Sequence, residues 1–180
     1  LAARPFAVTT SRVLSSLAAR ANPELHPLLV QREIKKAELI LVTSDRGLCG
    51  GFNSNLVRAA EAFIRAPPNQ KVTVTIVGRR GYDYFRRRPV QIGDHHINLF
   101  GRLTQALANQ IGARLSQRFI NGESDGVYVL YARFRSAVVQ IPTLDHVLPI
   151  IPKERAADAP PVSEYLYEPQ PQELLESLLA

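Results

Sequence analysis

The stretch that most narrows what this chain can fold into is Thr43-Ser44-Asp45-Arg46-Gly47-Leu48-Cys49-Gly50-Gly51-Phe52-Asn53-Ser54-Asn55, because of what flanks it. Before it, residues 37–43 form a short apolar, partly β-branched run, long enough for a buried strand and too short for a typical helix. After it, Leu56, Ala60, Phe63 and Ile64 recur as one helical face that stops before Pro67-Pro68. Strand, tight glycine-bearing loop and helix, in that order, is the opening unit of an α/β fold.

The rest of the chain continues the pattern. Val72 to Val77 reads as a second strand, rich in valine and threonine and closed by Gly78, with a short arginine-rich helix after it to about Arg88. Leu103, Leu107, Ile111, Leu115 and Phe119 then fall four apart on one helical stripe, stopped by Asn121-Gly122, and such a helix covers a sheet. Residues 126–134 and 137–151 are two β-rich runs separated by little more than Arg135-Ser136, which predicts an antiparallel hairpin. Pro142 and Pro149 mark the second of these as an edge or bulged strand. A last short strand is expected over Val162 to Tyr167. The segments 5–20 and from Glu173 onward read as helices cut at the two ends. The expected fold is α/β: a Rossmann-like three-layer domain with a mixed sheet of about five strands including an antiparallel hairpin.

Composition removes several classes. Apolar residues at 46% and charged residues at 21% describe a chain that folds rather than one too polar to form a core. The single cysteine, Cys49, excludes an intramolecular disulfide and a four-cysteine zinc site. Apolar runs fall well short of the ~18 to 20 residues that cross a membrane as a helix. The net charge of +6 comes largely from Arg79, Arg80, Arg86, Arg87 and Arg88, which fit either a functional basic patch or a solvated face. The cluster matches no known nucleic-acid-binding motif, so a nucleic-acid-binding module has little support.

The loop after a first strand is where an α/β fold holds phosphate, since backbone amides converge at the helix N-terminus. Gly47, Gly50 and Gly51 nevertheless match neither the dinucleotide fingerprint nor the lysine-bearing phosphate loop. The enzyme alternative, a Rossmann-like nucleotide-binding protein using residues 47–51, therefore lacks its motif. The glycines are expected to shape a tight turn, with Asn53 or Ser54 capping the helix. Cys49 beside Arg46 could be an activated thiol; a small buried one is the expectation. Asp94-His95-His96 lacks the spacing of a zinc site and is expected in a solvated loop. Tyr165 and Tyr167 share a face of the last strand, suiting an interface or a core edge equally. No catalytic residue, cofactor or metal site is expected.

The segment Leu41 to Asn53 resembles the hallmark of the gamma subunits of bacterial F-type ATP synthases. Phe134-Arg135-Ser136, Gln140-Ile141-Pro142-Thr143, Leu148-Pro149 and Tyr165-Leu166-Tyr167-Glu168-Pro169 follow in matching order. The resemblance implies a central-stalk rotor subunit, non-catalytic by itself, whose globular foot spans residues 35–168. Residues 1–34 would be the end of an N-terminal shaft helix with its linker, and 169–180 the start of the C-terminal shaft helix. It implies as partners the c-subunit ring, the epsilon subunit and, through shaft helices mostly missing here, the alpha/beta catalytic hexamer. It also implies a peripheral position on the cytoplasmic face of the bacterial plasma membrane. Ser44, Asp45, Arg46, Gly47, Leu48, Cys49, Gly50 and Gly51 are carried over as a structural signature turn, and Tyr165, Tyr167 and Glu168 as c-ring contacts.

Overall fold

The computed structural model describes residues 26–47, 49–66, 71–99, 104–136 and 139–151. The chain divides into two units, residues 1–30 with 150–180, and residues 31–149. In the first, a 3-10 turn at Pro27–Leu29 is capped by His26, whose Nδ1 accepts from the Leu28 N–H, and the Leu28 carbonyl accepts from the Ile150 N–H at 2.9 Å.

The second unit is built on a five-stranded sheet. Its strands are β1 (Lys36–Val42), β2 (Lys71–Val77), β3 (Gln91–His96), β4 (Gly126–Phe134) and β5 (Gln140–Leu148), and they lie in the order β3-β2-β1-β4-β5. All neighbours run parallel except β4 and β5, which pair antiparallel as the hairpin. Three helices accompany them: α1 (Phe52–Arg65), α2 (Arg79–Phe85) and α3 (Gln105–Ile120).

The central position of β1 follows from its composition. A parallel strand with neighbours on both sides and helices on both faces has no solvated face, so it reads as a near-continuous apolar run. Ala37, Leu39 and Leu41 of β1 join Val72, Val74 and Ile76 of β2 on one face, against Leu56, Val57 and Ala60 of α1 and Phe85 of α2. Each of these larger side chains contributes roughly 1.5–3 kcal/mol on burial. Because side chains alternate along a strand, Glu38 and Thr75 point to the other face, where Arg118 of α3 meets Glu38. Helices on both faces of a mixed sheet make the expected three layers.

Helix α3 starts and stops for local reasons. The Thr104 hydroxyl accepts from the Leu107 N–H at its N-terminus. At its C-terminus Gly122 adopts φ 71°, and the Gly122 and Glu123 amides return to the carbonyls of Phe119 and Arg118. This is the glycine-terminated cap that the pair Asn121-Gly122 announces. Among the described residues of its apolar stripe, Leu115 and Phe119 are buried, while Leu107 and Ile111 stay half-buried.

One expectation changes. Asp94-His95-His96 belongs to β3 rather than to a solvated loop. That strand sits at the sheet edge with alternating exposed and half-buried residues and carries Ile92 as its one aliphatic side chain, so it presents no apolar run to read. The described sheet thus reaches five strands with β3 as a member; the strand expected over Val162 to Tyr167 lies outside the described residues. The prolines did place β5 correctly: it is the opposite edge, with a register shift against β4 near Val127.

Candidate functional site at the carboxyl ends of the parallel strands

The signature turn leaves the carboxyl end of β1 and is stitched to the ends of β2 and β3. Thr43 donates its N–H to the Val77 carbonyl at 2.7 Å, and its hydroxyl accepts from the Gly81 N–H at 3.0 Å. Gly78, the first residue after β2, has φ 103° and passes its N–H to the His96 carbonyl at 2.8 Å. A Cβ at Gly78 would run into the Thr43 backbone, so glycine is required by both conformation and space.

Asp45 is the centre of this arrangement. Its Oδ1 accepts from the Arg79 N–H at 2.9 Å and the Asn98 N–H at 2.8 Å, and its Oδ2 from the Leu99 N–H at 2.6 Å. Asn98 stands at φ 60° and its side-chain oxygen accepts from the Arg79 guanidinium at 2.7 Å. One carboxylate thereby ties the turn after β1 to the start of α2 and to the segment after β3. Amides offered to a charged acceptor form the stronger class of hydrogen bond. The Arg79 amide, at the first position of α2, is therefore filled by the protein's own anion.

The remainder of the turn is held from α1. The Asn53 side chain accepts from the Ser44 N–H at 3.1 Å and donates to the Cys49 sulfur at 2.9 Å. The Ser44 hydroxyl donates to the Arg46 carbonyl, and Arg46 itself is exposed. Gly50 uses its freedom at φ 53°, Gly51 occupies the N-cap position of α1, and Gly47 lies beside the Arg80 guanidinium. Leu48 lies outside the described residues.

Two sequence expectations are corrected here. Neither Asn53 nor Ser54 caps α1: the helix begins at Phe52 from Gly51 without a side-chain cap, since Asn53 is committed back to Ser44. Cys49 is exposed rather than buried: it stands in the surface turn before α1, where its sulfur accepts from the Asn53 side chain. Its sulfur faces an open groove of about 490 Å³ between α1 and α2, shared with Asn53, Arg58, Glu61, Arg80 and Tyr84.

The arginine cluster is dispersed over separate tasks. Arg79 holds Asn98, Arg86 pairs with Asp83 at 3.4 Å, and Arg88 lies 3.3 Å from the centre of the Tyr84 ring and reaches Glu61. Among the described residues no group of three or more histidine, cysteine or acidic side chains could hold a metal ion, and no helix is long and apolar enough to cross a membrane. Tyr165, Tyr167 and Glu168 lie outside the described residues. The partners of Asp45 at Asn98 and Leu99 were beyond sequence reasoning, because nothing local links positions so far apart.

A family model described as ATP synthase matches residues 1–180. The gamma chain of the ATP synthase of Geobacter sp. strain M21 is 41% identical over 182 residues, covering 99% of this chain and 62% of that protein. The gamma chain from Moorella thermoacetica is 38% identical over 178 residues with the same coverage. The chain thus spans less than two thirds of the length of these curated relatives. Among solved structures, a chain from the central stalk and c-ring of the Tetrahymena thermophila mitochondrial ATP synthase aligns with a TM-score of 0.62 at 18% identity, covering 99% of this chain and 84% of that one. That likeness shows a shared fold. On the match across its whole length, the chain belongs to the ATP synthase family, and the members it is similar to are gamma chains.

Proposed function

We propose that this chain is the α/β foot of the central-stalk rotor in a proton-translocating F-type ATP synthase, carrying torque from the c-subunit ring to a shaft that turns inside the alpha/beta catalytic ring. In this reading residues 35–168 are the foot, and residues 1–34 and 169–180 are the portions of the two shaft helices next to it. The epsilon subunit binds the foot, catalysis belongs to other chains, and the assembly sits peripherally on the cytoplasmic face of the bacterial membrane.

The observation that carries the reading is the three-amide grip of Asp45. A piece that transmits torque needs its strand ends fixed to one another, and a self-satisfied turn does that without a ligand. The Rossmann-like enzyme alternative rests instead on the loop at residues 47–51, whose glycines match no phosphate-binding fingerprint.

Tyr165, Tyr167 and Glu168 are proposed as c-ring contacts, the two rings supplying area and the carboxylate pairing with a basic loop residue. Replacing both tyrosines by alanine in the assembled enzyme lowers ATP-driven proton pumping relative to ATP hydrolysis. An unchanged ratio of pumping to hydrolysis counts against the assignment. The chain alone hydrolyses no ATP above a mock preparation.

A further inference from the structure

Glu38 sits in the middle of β1 with its side chain wholly buried beneath α3. Its Oε1 accepts from the Thr75 hydroxyl at 2.8 Å and from Arg118 at 2.9 Å. Among the described residues its Oε2 has no hydrogen-bond partner. A buried carboxylate with one oxygen unanswered is costly while it carries charge.

The charged groups around it do not balance in its favour. From α3 come Arg118 and Arg114, from β3 Asp94, and from the turn after α3 Glu123. Arg114 is committed to Asp94 at 2.8 Å, and Arg118 is shared between Glu38 and Glu123. The linked ion pairs therefore hold three carboxylates and two guanidinium groups, and Glu38 is the carboxylate furthest from water. On the same strand Lys36 is exposed and gives its ammonium to the Gly122 carbonyl. His96 of β3 is half-buried and lines, with Thr75, Asp94 and Arg114, a small void of about 10 Å³ under α3.

We propose that the Glu38 carboxyl is a proton-binding site through which pH sets how firmly α3 is docked on the sheet. One added proton equalises the cluster and neutralises the group that burial penalises most. Helix α3 is suited to respond, since among the described residues of its apolar stripe Leu107 and Ile111 are half-buried and Leu115 and Phe119 alone are buried. Burial pushes the Glu38 carboxyl above the usual carboxylate range, and the Thr75 hydroxyl and Arg118 offset that only in part. A raised carboxyl value means that the docked state takes up the proton. Docking is firmest below the ordinary glutamate range and loosens as pH rises through the value Glu38 has in the fold.

The direct test is carboxyl-carbon NMR of the whole chain against pH, with amide hydrogen exchange of α3 and β2 read in parallel. Glu38 titrates above the usual carboxylate range. The opening constant of α3 amides, corrected for intrinsic exchange, rises with pH by up to about tenfold per unit, the limit for one released proton, while β2 amides do not follow. Glu38→Gln flattens that slope, which separates Glu38 from Asp94 and His96. Arg118→Gln moves the Glu38 midpoint further up. A Glu38 midpoint within the usual carboxylate range, a flat α3 profile in the unmodified chain, or an unchanged slope in Glu38→Gln each overturns the proposal. Should Glu38→Gln not fold, the titration of the unmodified chain decides by itself.

Discussion

Two carboxylates on the same stretch of chain have opposite surroundings. Asp45, past the end of β1, has both oxygens answered by backbone amides from two other segments. Glu38, in the middle of β1, is buried more deeply yet has one oxygen answered and one orphaned. The same chemical group thus serves as a joint where amides converge on it and as a liability where they do not. The faces of the sheet differ in the same sense: α1 and α2 cover an apolar layer, whereas on the α3 face a charged cluster sits among the buried side chains of Ile40, Val127, Leu115 and Phe119.

The comparison can be broken most severely on the face under α1 and α2. Phe85, fully buried between α2 and the sheet, leaves a cavity when cut to alanine, and urea denaturation should register a loss of about 4 kcal/mol. At the joint, Asp45→Ala orphans three amides at once. A loss of roughly 3 kcal/mol is expected there, less than the sum of three separate bonds because the freed amides gain water. Asp45→Asn, which keeps one full acceptor, should lose less than Asp45→Ala. Under α3 the balance is different: Glu38→Leu removes the half-answered buried charge but also the acceptor of Thr75 and Arg118. Because Arg118 keeps Glu123, the loss of stability at neutral pH should be smaller than at Asp45→Ala. A loss at Glu38→Leu as large as that at Asp45→Ala would erase the distinction between joint and liability.

What could be read from the sequence tracks how local each cause is. Strands β1 and β2, helix α1 and the hairpin follow from runs, spacing and turn residues that sit next to one another. The termination of α3 is written in Asn121-Gly122 alone. Strand β3 was illegible because an edge strand buries little, and Gln91 to His96 exposes every second residue. The signature turn was legible as a turn without a phosphate fingerprint, but its working parts were not. Asp45 reaches Asn98 and Leu99 across the fold, and Asn53 is drawn away from the capping role its position suggests. Glu38 was hidden for the converse reason: one acid inside the run Ala37 to Val42 looks like an interruption, and only the arrival of Arg118 from α3 gives it a partner.

The central claim, that the turn is a self-satisfied joint, is tested most directly by amide hydrogen exchange at Arg79, Asn98 and Leu99 in the unmodified chain and in Asp45→Ala. The account predicts that all three amides are protected together, irrespective of added Mg·ATP, and that all three lose protection in the variant while the amides of β1 keep theirs. Protection that survives the loss of Asp45, or that develops at these amides only when nucleotide is added, would contradict it.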